Sequence, residues 1–185
     1  MTGFLGRWLS DALRLGLSLA LALAAMQLPA VAQQYAVALL QVAEDGRRDI
    51  EQRKASARRF YPAVGETDAD VITALRPVEP SNAQALEASV ERTHVLRTAY
   101  DRLEVTQPLL RPVVAALDAV EDPRGDKRAI LRTALDTHVP QVLLSAASAI
   151  YSVIGLVAGS IAAQALVSVA GALVRRRDRK EQFAR

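Results

Sequence analysis

The sequence predicts an all-α membrane protein: two transmembrane helices joined by an extramembrane α-helical hairpin or coiled-coil-like region. Three observations carry this. No Asp, Glu, Lys or Arg occurs from Leu15 to Ala43 or from Thr137 to Val174, and each run outlasts the roughly 20 residues that cross a bilayer core. The charges gather in the middle of the 185-residue chain and at its two ends. No stretch sustains the two-residue alternation of a half-buried strand. These features argue against a cytosolic globular enzyme. Without cysteine there is no disulfide framework, zinc–thiolate centre or thiol chemistry.

The boundaries follow from the charges: a cytoplasmic segment 1–14, a first span 15–37, a periplasmic helical region 38–138, an approach and second span 139–174, and a basic tail 175–185. The first run, Leu15 to Met26, carries strong helix formers on every side, as lipid requires. Trp8 and Tyr35 flank it about 40 Å apart at 1.5 Å per residue, the separation of two membrane interfaces. The second run, centred on Ile150 to Val174, has the same character.

Orientation comes from the basic residues. The tail, with Arg175, Arg176, Arg177, Arg179 and Lys180, is net +4; the N-terminal segment is net +1 and the middle net −2. Both termini are therefore expected in the cytoplasm and the middle outside. The basic tail reads as a topology and anionic-lipid signal, not as a nucleic-acid site. The rival reading is a signal peptide cleaved after Ala32, which leaves a single-pass protein with the same external region.

Outside the membrane, Glu44 with Arg48 and Asp49 with Arg53 are i,i+4 pairs, so the first helix is expected to continue to about Phe60, with Tyr61-Pro62 stopping it. A short helix from Asp68 to Leu75 follows, capped by Thr67. Arg76 to Pro80 then reads as a rigid extended link. Ser81 caps a long helix to about Thr106, with Leu86, Val90, Leu96, Tyr100 and Leu103 on one stripe. Leu109 to Val120 is a short apolar helix ended at Asp122-Pro123-Arg124-Gly125, and Lys127 to Thr137 is the last before the membrane. Pro140 suits the first turn of the second span.

Several segments resemble a known family. Gln27-Leu28-Pro29-Ala30-Val31-Ala32-Gln33-Gln34-Tyr35, Arg97-Thr98-Ala99-Tyr100-Asp101-Arg102-Leu103, Thr137-His138-Val139-Pro140 and Ile154-Gly155-Leu156-Val157-Ala158-Gly159 occur in the order and spacing of a bacterial inner-membrane family, domain of unknown function 2937. The resemblance covers roughly Leu15 to Val174. It implies a two-span protein with an intervening helical region and a retained first span, and it implies no activity.

Chemistry is sparse. Glu91 and His94 form an E-x-x-H, but a di-iron bundle needs a second such motif, and Leu135 stands three residues before His138. No catalytic fingerprint occurs, and neither span contains an ionisable residue of the kind transport pathways use. No catalytic, metal or cofactor residue is expected. Small residues do recur at four-residue spacing: Gly16, Ala20 and Ala24 in the first span, Gly155, Gly159 and Ala163 in the second. Such faces let helix backbones approach in lipid, either within one chain or between subunits.

The expected function is that of a non-enzymatic inner-membrane protein, an accessory or structural subunit that binds or stabilises a larger membrane assembly. Its partners would be the bilayer and other membrane subunits or further copies, with no nucleic acid, and Ile50, Leu86, Leu96 and Tyr100 would face the partner. The alternative is a transport or envelope-lipid-handling component.

Overall fold

The computed structural model describes residues 2–61, 65–141 and 145–183, with the side chains of 2–5, 7 and 171–183 outside the description. Pro62 lies outside the described residues. The elements are all helical: α1 (Thr2–Ala25), α2 (Leu28–Phe60), α3 (Asp68–Leu75), α4 (Pro80–Val105), α5 (Arg111–Val120), α6 (Asp126–Asp136) and α7 (Ala146–Phe183). Among the described residues there is no strand. The chain divides into two compact units: Met1–Ala30 with Val139–Arg185, and Val31–His138.

The first unit is α1 packed on α7. Two helices of the chain, one within Trp8–Phe60 and one at Ala146–Ala170, are long and apolar enough to cross a membrane. The single helix expected from the first apolar run to Phe60 is in fact two. Pro29 has no N–H to give and its ring would clash with the carbonyl four residues back, so the ladder stops before it. Met26 and Gln27 close the end of α1 onto the carbonyls of Ala22 and Ala24, each at 3.1 Å. Pro29 then sits in the first turn of α2, where a missing donor leaves nothing unsatisfied. At the start of α7 the Ser145 hydroxyl accepts from the Ser148 N–H at 3.1 Å, an N-cap. Pro140 lies ahead of this cap and outside any helix, not in the first turn as expected.

The second unit is built on α2 and α4. Their contacts pair rising with falling residue numbers: Leu39 shares a core with Leu103, Glu44 meets Arg97 at 3.2 Å, and Ile50 shares a core with Leu86. The two helices are therefore antiparallel. Between the cores, Gly46 faces Thr93 so closely that a β-carbon there would overlap the threonine hydroxyl. One core takes Tyr35, Leu39, Leu96 and Leu103 and is covered by α5 and α6 through Ala115 and Ala134. The other takes Ile50, Ala57 and Leu86 and is covered by α3 through Val71, Ile72 and Leu75.

Local sequence explains the short helices. Thr67 accepts from the Asp70 N–H while Asp70 accepts from the Thr67 N–H, both at 3.2 Å, a reciprocal capping box. The link from Arg76 to Glu79 is a tight turn, not extended, because the Val78 and Glu79 N–H groups fold back on the Leu75 carbonyl. The following helix begins at Pro80 with Glu79 as its N-cap, two residues before the expected cap, Ser81. Gly125, at φ 80°, opens α6 in a left-handed conformation that a side chain would disfavour.

Candidate functional site

The first feature with functional content is the face between α1 and α7. Gly155 lies against the Leu21 carbonyl and Ala22, and Gly159 against the backbone of Leu17 and Ser18; a β-carbon at either glycine would collide with those atoms. Ala163 on the same face is fully buried. Ser160 donates to the Leu156 carbonyl at 2.8 Å, so its oxygen is left to accept from Ser18 across the interface at 3.0 Å. Small groups thus allow backbones to touch, and one hydroxyl pair bonds across the contact.

On α1 the contact face differs from the expected one. It is formed by Ser18, Ala22 and Ala25, while Gly16 has open space around it, Ala20 is exposed, and Ala24 lies exposed at the edge, in a groove it lines with Gly155 and Ala158. A helix of alternating leucine and alanine offers more than one small-residue stripe, and the face of α7 selects among them. The large side chains point away from the pair. Leu19 and Leu23 on α1 and Val157 and Ile161 on α7 are at least half exposed.

The second feature is a buried polar node in the unit Val31–His138. Asp118, on α5, is 4% exposed, and its Oδ1 accepts from Lys127 Nζ at 3.1 Å and Arg102 Nη1 at 3.3 Å. Four residues on, Asp122 accepts from the Lys127 N–H at 2.7 Å and the Arg124 N–H at 3.2 Å, holding the first turn of α6. A small cavity of about 170 Å³ lined by Thr98, Arg102, Asp118 and Lys127 adjoins the node. Removing one partner from such a buried ion pair strands the other charge, so the node locks α4, α5 and α6 to one another.

A third set of ion pairs fastens α3. Lys54 is nearly buried and donates to Asp68 at 2.7 Å and Glu51 at 3.0 Å. The Asp68 carboxylate, more than any other group, raises its pKa and keeps it charged. An open cleft of about 710 Å³ runs beside it, with Arg47, Lys54, Asp68, His94 and Arg97 among its lining. Its charges are mutually neutralised, since Glu44 pairs with both Arg47 and Arg97.

A family model described as Protein of unknown function (DUF2937) matches residues 9–176. The chain belongs to this family. No curated protein and no solved structure matches it.

Against this geometry, the residues singled out in the sequence sort clearly. Ile50, Leu86 and Leu96 cannot face a partner, because they are 4% exposed or less and form the cores of their own unit; Tyr100 packs against one of those cores. The stripe was real, but α3, α5 and α6 cover it from within the chain. Tyr35 is no interfacial anchor either: it is fully buried, its hydroxyl without a protein partner. Glu91 is engaged by Arg124 at 2.5 Å, which lowers its pKa, and does not join His94 in a ligand set. Among the described residues no group of three or more His, Cys, Asp or Glu is placed to hold a metal. The side chains of Arg175, Arg176, Arg177, Arg179 and Lys180 lie outside the described residues. Two features escaped the sequence reading: the Ser18–Ser160 pair and the Asp118 node. For the first, two serines in otherwise apolar runs were the available signal.

Proposed function

We propose that this chain is a non-enzymatic accessory or structural subunit of the bacterial inner membrane. Helices α1 and α7 are its transmembrane anchor, both termini lie in the cytoplasm, and the unit Val31–His138 is a periplasmic helical hairpin elaborated by α3, α5 and α6. Its task is to hold that unit at the membrane surface and brace a larger membrane protein assembly.

The observation that carries the reading is the inverted packing of α1 against α7. In water a helix pair hides its leucines, isoleucines and valines. Here Ser18, Ala22, Gly155, Gly159 and Ala163 are hidden, and Leu19, Leu23, Val157 and Ile161 are turned out. Such an arrangement is stable where the surrounding solvent is hydrocarbon and packing, not apolar burial, holds helices together. Support for a bracing role comes from the strongest polar groups, since Lys54, Glu91 and Asp118 are each committed to ties between elements.

A second reading, lipid handling or transport, draws on an apolar groove of about 350 Å³ between α1 and α7, lined by Leu21, Ala24, Ile154, Gly155 and Ala158. Extraction of the full chain in mild detergent, followed by native mass spectrometry, separates the two. A protein companion in fixed stoichiometry is the expected result. A lone chain carrying phospholipid overturns it in favour of lipid handling, and a chain that stays monomeric in buffer without detergent overturns the membrane reading altogether.

A further inference from the structure

Towards its C-terminal end, one face of α2 carries Asp49, Gln52, Arg53, Ser56 and Phe60, at helical spacings that stack their side chains in a row. The facing wall is made by Tyr61, just past the helix, and by Glu79 and Asn82, the N-cap and first turn of α4. Together they line a cavity of about 380 Å³, with buried Ala57 and Leu75 behind them. That volume lies in the range of small-molecule sites, roughly 300–1,000 Å³.

The charges of the cavity narrow what it can hold. Glu79 accepts from the Tyr61 hydroxyl at 2.7 Å and the Asn82 amide at 2.9 Å, both neutral donors, and among the described residues no cation pairs with it. These bonds hold its carboxyl below the ordinary range, so it is ionised at neutral pH. With Asp49 in the same cavity, an anionic ligand is repelled. Arg53, which donates to Asp49 at 2.8 Å, opposes a cationic one. The ligand that suits both conditions is neutral and rich in hydrogen-bonding groups.

The unspent capacity of the site is of that kind. The carboxylates of Asp49 and Glu79 keep lone pairs for hydroxyl donors, and Asn82 keeps its carbonyl oxygen and one amide hydrogen. Among the described residues Gln52 and Ser56, which line the cavity, have no side-chain partner. Beside these groups Phe60 leaves 78% of its surface open. A single exposed aromatic ring is ordinary, but this one walls a polar cavity. A sugar ring matches such a combination. Its axial C–H bonds present slightly positive hydrogens to the negative face of an aromatic ring, and its hydroxyls donate and accept around the edge.

We infer that this cavity binds a neutral saccharide, with Phe60 stacking on the sugar ring and Asp49, Gln52, Glu79 and Asn82 bonding its hydroxyls. Every residue concerned belongs to the unit Val31–His138, so the inference stands apart from the reading of α1 and α7 as an anchor.

Saturation-transfer NMR on the full chain in nanodiscs of phosphatidylethanolamine and phosphatidylglycerol tests it. The probes are maltotriose, cellotriose and triacetylchitotriose, with empty nanodiscs as the blank. The expected result is transfer to the ring protons of at least one trisaccharide. Phe60→Ala and Gln52→Ala should each weaken or abolish it, Phe60→Tyr, which keeps the ring, should retain it, and Gln41→Ala, in a separate groove of the same unit, should leave it intact. Phe60 and Gln52 are exposed and support no core, so circular dichroism should show both alanine variants folded. No transfer to any of the three sugars, or transfer that survives either alanine undiminished, overturns the inference. Transfer to spermidine or glycerol 3-phosphate in place of the sugars, lost in Phe60→Ala, means a charged ligand and overturns it as well.

Discussion

Gly159 rests on the backbone of Ser18, with no room for a β-carbon between the two helices. One residue along, the hydroxyls of Ser18 and Ser160 meet at 3.0 Å. Contact of this kind depends on what is missing from the side chains, so it responds sharply to added volume.

The double variant Ser18→Cys with Ser160→Cys should therefore form an intramolecular disulfide under mild oxidation, visible as a change in gel mobility. Adding Gly159→Leu should abolish the crosslink, with an overpacking cost of about 1–3 kcal/mol. Failure of the two-cysteine variant to crosslink would mean that α1 and α7 do not meet along this face, and a crosslink that survives the leucine would mean that Gly159 does not set their approach.

Leu86 and Leu96 sit in the two cores of the unit Val31–His138. Truncating either to alanine should cost about 2–5 kcal/mol, as for other buried leucines. Thermal or denaturant unfolding of the full chain followed by circular dichroism reads this directly. Unchanged stability would return these side chains to the surface.

Asp118→Ala should cost about 3 kcal/mol, because Lys127, with its side chain 15% exposed, loses the carboxylate it faces. Hydrogen exchange should show the loss concentrated in α5 and α6. Thr98, which lines the cavity beside the node without taking part in the ion pairs, should tolerate alanine with little change.

Acid and alkali should loosen the end of the unit that carries α3 and the start of α4. Asp70 is held below the ordinary carboxylate range by its bonds to Thr67, and Glu79 by the Tyr61 hydroxyl and Asn82. Groups of this kind stabilise fully above the unfolded value of about 4 and lose that contribution as pH falls through the folded values. Lys54 has the opposite sign: its contribution is full below about 10.4 and fades as pH rises beyond that. Exchange of amides in 68–75 should accelerate at both extremes. Thr67→Ala should abolish most of the acid response from Asp70 and cost about 1 kcal/mol at neutral pH.

What could be read from the sequence was local. Thr67 and Asp70 are three residues apart and specify α3 between them; Pro29 is a local stop whose force the long apolar run disguised. What could not be read needed a partner from elsewhere in the chain. Gly16, Ala20 and Ala24 make as good a small-residue stripe as Ser18, Ala22 and Ala25, and only α7 decides between them. Asp118 looks like a surface charge until Arg102 and Lys127 converge on it from neighbouring elements. The stripe through Leu86 and Leu96 correctly marked buried positions, but periodicity cannot say whether the covering surface is another protein or a helix of the same chain.

Helix α7 runs unbroken from Ala146 to Phe183, whereas the other side of the pair is interrupted at Met26 and Gln27. An uninterrupted ladder of hydrogen bonds resists torsion. Any roll of α7 that exchanges Gly155 and Gly159 for another face against α1 must turn the whole helix about one axis as far as Phe183, like a rigid shaft, while the twist on the other side dissipates at the proline-imposed break.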